Sequence, residues 1–140
     1  MALLLKVKPD TLRENEVTVP RMKSADLGSG DLGSTVYVWL GDEPERESAL
    51  FAVATLTAFT PTTAPQVRNP TKNKDVYRLT ISDLSTDIAY PLTTNDLNHF
   101  RYVEEADGIE SLGRIHRDRN DKILRLTGAE AAALAERFQN

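Results

Sequence analysis

The 140-residue chain has no cysteine, one tryptophan, two histidines and no apolar run of membrane-spanning length. Without cysteine there is no disulfide framework, no thiolate zinc site and no cysteine nucleophile, a usage that accords with a cytoplasmic chain. The longest apolar stretch, Leu50 to Phe59, is about half of the roughly 20 residues a spanning helix needs, and Thr55 and Thr57 interrupt it. Met1-Ala2-Leu3-Leu4-Leu5 has no basic residue before it and stops at Lys6, so it reads as a strand rather than a secretory leader. The histidines, His99 and His116, are too far apart for the i, i+4 pair of a helix-borne zinc motif. Neither a Gly-x-Ser-x-Gly elbow nor a Walker loop is present. The formal net charge is -4, so the chain as a whole repels a phosphate backbone; binding nucleic acid requires a local basic patch or a pocket.

What is present is ordinary globular material, 40% hydrophobic and 27% charged, in a length that accommodates one domain over residues 1–140. Residues 3–8 predict a strand with Leu3, Leu5 and Val7 on one face and Lys6 and Lys8 on the other. Residues 10–16 allow one or two helical turns. From Arg21 to Thr35 the chain is polar and glycine-rich, with Asp26-Leu27-Gly28-Ser29 repeated as Asp31-Leu32-Gly33-Ser34, which predicts an exposed loop. Val36 to Leu40 predicts a central strand, apolar on both faces, with Tyr37 and Trp39 together on one of them.

Ser48 to Phe59 predicts a second strand, hairpinned to the first through the charged segment 41–47. Pro61 to Lys74, with three prolines, reads as a loop. Val76 to Ser82 alternates as a half-buried antiparallel strand, with Tyr77, Leu79 and Ile81 inward and Arg78 and Thr80 outward. Thr93-Thr94-Asn95-Asp96 caps a short helix reaching about Phe100, and a second short helix is expected near 108–113. Thr127-x-x-Glu130 is a capping box opening a final helix whose Ala131, Leu134, Ala135 and Phe138 share a face that packs on the sheet. The expected class is α+β: a small, curved, mainly antiparallel pseudo-barrel with flanking short helices.

Gly28-Ser29-Gly30-Asp31-Leu32-Gly33 fits G-x-G-x-x-G, but a polar segment precedes it and a strand follows, the reverse of a dinucleotide-binding context. No cofactor follows from it. His116 lies in the mixed-charge run 114–122, which reads as a solvated hairpin tip, with a phosphate-contacting patch as its alternative. The carboxylates Asp42, Glu43, Glu45, Glu47 and Glu104, Glu105, Asp107 fall in expected loops, where paired acid chemistry or metal binding lacks a rigid support. Trp39, with Tyr37 beside it, offers either a core aromatic or a flat surface for stacking a base.

From Val36 onward, the order of features resembles the EVE family of the PUA-like superfamily. The resemblance runs over about residues 34–140: the strand ending at Trp39-Leu40, the apolar strand Ala49 to Leu56, and Val76-Tyr77-Arg78-Leu79-Thr80-Ile81. Pro91-Leu92-Thr93-Thr94-Asn95-Asp96-Leu97, Leu112-Gly113-Arg114-Ile115 and Leu126-Thr127-Gly128-Ala129-Glu130 complete it. The family's Trp-x-Gly-Val-Arg-Asn pocket segment is not matched, since Val17-Thr18-Val19-Pro20-Arg21-Met22-Lys23 stands in that region with Arg21 as its counterpart. The resemblance implies a pseudo-barrel whose pocket holds a modified nucleobase in DNA, or an RNA element. It also implies a module that reads rather than reacts, with cleavage supplied by a separate nuclease partner.

The expected function is therefore a non-catalytic nucleic-acid reader without metal or cofactor. Trp39 stacks on a base, Tyr37 supports it, and Arg21, Lys23, Arg101 and Arg114 contact phosphate. The alternative is a protein-interaction module with an acidic surface.

Overall fold

The computed structural model of the chain describes residues 2–21, 26–41, 47–66, 68–100, 110–113 and 121–138. The strands β1 (Ala2–Val7), β2 (Glu16–Pro20), β3 (Thr35–Leu40), β4 (Ala49–Pro65), β5 (Asn73–Ser85) and β6 (Lys122–Arg125) form one sheet among the described residues, ordered β2-β5-β4-β3-β1-β6. β1 and β3 run parallel, and the other neighbours are antiparallel. The sheet curls until its two edge strands, β2 and β6, approach each other, giving a mixed half-barrel. Two short helices, α1 (Thr94–Leu97) and α2 (Gly128–Ala135), lie against it.

Curling divides the apolar residues into two cores. Side chains from all six strands, among them Leu5, Val19, Val38, Leu56, Leu79 and Ile123, fill the barrel interior. The opposite face of β1, β3 and the start of β4 carries Leu4, Tyr37, Trp39 and Leu50, covered by Leu97 of α1, Leu112 and Leu134 of α2. β1 is thus buried on both faces, Lys6 included, because it sits between β3 and β6 with a core on each side. This corrects the expectation of a lysine-bearing outer face at Lys6.

Several expected elements form as read. β3 is central and hairpinned to β4, Tyr77, Leu79 and Ile81 point inward, and Arg78 is exposed. Thr93 caps α1, and its backbone N–H donates to Asp96 Oδ2 at 2.9 Å. Thr127 caps α2 in a reciprocal box with Glu130: the Glu130 N–H donates to Thr127 Oγ1 at 3.1 Å, and the Thr127 N–H to Glu130 Oε1 at 2.8 Å.

Other elements differ. Residues 10–16 make no helix; a tight turn with an Arg13–Glu16 bridge and Glu14 at φ 54° leads straight into β2. β4 runs on through Pro61 to Pro65 where a loop was expected. Beyond Thr55, β3 no longer pairs with it, so one edge of β4 is open and tolerates a residue without an N–H. β5 is correspondingly longer, so β4 and β5 form a two-stranded arm turning through residues 66–72. The short strand β6 was hidden behind the charged run that precedes it.

Candidate nucleic-acid interface

Trp39 is fully buried, and its indole N–H donates to Ser48 Oγ at 2.7 Å. Its neighbours in the register are Lys6 on β1 and Leu50 on β4. Tyr37, two residues earlier on the same face, is 6% exposed, and its ring lies 6.0 Å from that of Phe138 beyond α2. Burial pushes the Tyr37 phenol pKa above its ordinary value. Both rings wall the second core, and neither presents a face to solvent. The physical reason is the position of β3, flanked on both sides in the sheet and covered by α1 and α2. The β1–β6 register also sets Lys6 directly opposite Lys122 beside Trp39, both lysines nearly buried and both engaged by partners.

Arg21 follows β2 at the base of the arm. Its guanidinium is paired with Asp26 at 3.1 Å and lies 5.4 Å from the centre of the Tyr77 ring. The hydrogen bond to Asp26 raises the Arg21 pKa, and the one from the Tyr77 hydroxyl leads in lowering that of Asp26. Arg21 is thus brought to the surface but already engaged. Lys23, Arg101 and Arg114 lie outside the described residues, as do His116, the His99 side chain and the acidic residues expected at 42–45 and 104–107.

The glycine-rich segment is more than an exposed loop. Leu27 inserts into the barrel interior while its repeat counterpart Leu32 is 47% exposed. Both aspartates of the repeat meet an arginine: Asp26 meets Arg21, and Asp31 meets Arg125 of β6. Arg125 donates to both Asp31 oxygens at 2.6 and 2.8 Å and to the Asp26 carbonyl at 2.7 Å. The Gly28 N–H donates to Asp31 at 2.8 Å, and Gly33, at φ 87°, turns the chain so that its N–H reaches the Leu56 carbonyl. These bonds hold the Asp31 carboxyl at a pKa of about 2, the arginine being the largest cause. The segment is a strap tying β5 to β6 over the barrel interior.

Two further surface features were not recognised in the sequence. Tyr90, 56% exposed, is the largely exposed aromatic among the described residues, and its N–H and that of Ala89 donate to the Arg137 carbonyl next to α2. The arm is the other: between Thr57 and Thr80 the charged residues are Arg68, Lys72, Lys74, Arg78 and Asp75, four cations against one carboxylate in a chain of net charge -4. The alternation of β5 could have revealed it, had the prolines not broken β4 and β5 apart in the reading.

No group of three or more His, Asp or Glu residues is placed to hold a metal among the described residues. No helix among them is long and apolar enough to cross a membrane. No protein-family model matches the chain, and no curated protein matches it. Among solved structures it is similar to the crystal structure of ASCH from Zymomonas mobilis, with a TM-score of 0.59 at 10% sequence identity. The similarity covers 96% of this chain and 94% of that one. At this identity the likeness speaks for the fold, which is PUA-like.

Proposed function

We propose that the chain, as one domain over residues 1–140, is a non-catalytic nucleic-acid-binding module of the EVE-like kind working in the cytoplasm. The observation that supports this is the concentration of cations, Arg68, Lys72 and Arg78 exposed and Lys74 half-buried, on one arm of a PUA-like fold whose net charge is negative, because phosphate binding needs such a local patch. The finer form of the proposal is a reader of a modified, flipped base in DNA, or of an RNA element, with a separate nuclease as the partner that cuts.

In that form Arg21, Lys23, Arg101 and Arg114 contact phosphate, and Trp39, supported by Tyr37, stacks on the base. Stacking at Trp39 requires the side chains over it to move aside. Tyr90 needs no such movement and is the ring available for stacking in the structure as it stands. A stacked base contributes about 1–3 kcal/mol.

The test is a titration with oligonucleotides, plain and carrying modified cytosines, following affinity and Trp39 emission. Base reading through Trp39 predicts quenching and tighter binding by one modified oligonucleotide. Equal affinity for all of them, with unchanged emission and a loss on Tyr90→Ala, assigns stacking to Tyr90. Equal affinity with unchanged emission and no loss on Tyr90→Ala overturns base reading.

A further inference from the structure

We propose that the β4–β5 arm is the docking surface for a double-stranded nucleic acid, gripped through its phosphates without reading its sequence. This rests on the nucleic-acid reading above and names the form of the ligand.

The register gives the arm two different faces. Tyr77 and Leu79 of β5 point into the barrel, with Phe59 set edge-on to Tyr77 at 5.7 Å between ring centres. The residues that alternate with them, Lys74, Val76, Arg78 and Thr80, share the outer face, with Val76 buried between the two cations. There β4 contributes Ala58, Thr60, Thr62 and Ala64, and β2 contributes Thr18, opposite Arg78. Arg68 and Lys72 extend the cationic character into the turn, where both are exposed. The arm's one carboxylate, Asp75, pairs with Thr63 and belongs to the other face.

Three features of this face favour a duplex. Lys74 and Arg78 are mounted on a hydrogen-bonded ribbon, so their spacing is set by the backbone: four residues apart, they are about 13 Å apart along the strand. That is comparable with the roughly 12 Å width of a B-DNA major groove, across which phosphates of opposite strands face each other. Between the two cations Val76 is buried, and the neighbouring strand β4 presents the small side chains of Thr60, Thr62 and Ala64, which let a backbone approach closely. Finally, the face carries no aromatic ring among the described residues, whereas single-strand binding depends on rings for stacking. The opposing charge on this face is Glu16, in register with Thr80 at the end away from the turn.

The experiment measures anisotropy of a labelled 20-base-pair duplex and of its single strands, with the full chain, from about 50 to 200 mM salt. Four phosphate contacts predict a duplex affinity falling on the order of 100-fold over that range. Each of Arg68→Gln, Lys72→Gln, Lys74→Gln and Arg78→Gln reduces the log–log salt slope by about 0.9. Lys74→Arg retains binding, and Glu16→Gln strengthens it. These side chains lie away from both cores, so circular dichroism and melting temperature stay as in the unmodified chain. Binding of nucleic acid with an unchanged affinity and slope in the fourfold glutamine variant overturns the arm as the docking surface and leaves the nucleic-acid reading standing. Preference for single strands overturns the duplex. Absence of binding to any nucleic acid overturns the underlying reading and the inference with it.

Discussion

Arg125 and Asp31 meet in a two-point ion pair, 2.6 and 2.8 Å, across 94 residues of sequence. The pair ties the glycine-rich strap to the edge strand β6, at the side of the half-barrel where β2 and β6 approach without forming a ladder. Because Asp31 is nearly buried and Arg125 is partly exposed, the bond combines charge-assisted geometry with some solvent screening.

The pair makes stability depend on acid. Asp31 titrates at about 2 in the folded chain, below its ordinary 3.8, so its contribution is complete above the unfolded value and disappears as pH falls through about 2. Asp31→Asn is expected to cost about 2 kcal/mol at neutral pH. In urea unfolding, the gap between variant and unmodified chain closes between about pH 4 and pH 2. A gap independent of pH contradicts the role given to the carboxylate.

Trp39→Ala is expected to cost about 3–5 kcal/mol, since it empties a large site in the second core. Ser48→Ala removes the acceptor of the indole N–H and costs about 1–3 kcal/mol. Trp39 emission in the unliganded protein is correspondingly expected to be blue-shifted. A Trp39→Ala variant that keeps its melting temperature contradicts the core assignment.

Tyr77→Phe tests the other end of the strap. The hydroxyl donates to Asp26 and accepts the buried Leu27 N–H at 2.9 Å, so its removal orphans that donor at a cost of about 1–3 kcal/mol. Amide exchange at Leu27 is expected to accelerate more than exchange at Leu79 on the same strand. Equal acceleration at both contradicts a local strap.

Much of the fold was legible because its signals are local. Val36 to Leu40 is apolar on both faces and therefore central, Thr127 and Glu130 spell a capping box, and Tyr77-x-Leu79-x-Ile81 alternates cleanly. What escaped depends on long-range pairing. Pro61 and Pro65 end a strand in most contexts, and they are accommodated here because β3 stops pairing with β4 at Thr55. β2 and β6 are short, and partners far along the chain define them.

The same limit governs the site. Pattern alone put Trp39 and Tyr37 on one face, as found, but could not say that α1 and α2 cover that face. The cations of the arm were each visible in the sequence, yet only the β4–β5 register brings Lys74 and Arg78 onto one face with Arg68 and Lys72 in the turn at its end.

The central claim is that this acidic chain binds nucleic acid, and the most direct measurement is equilibrium anisotropy of labelled DNA and RNA, single- and double-stranded, at about 50 mM salt. The account predicts saturable binding that weakens steeply as salt rises. No binding to any of them at that low salt, together with a protein partner retained after nuclease treatment, contradicts it and favours an acidic protein-interaction surface.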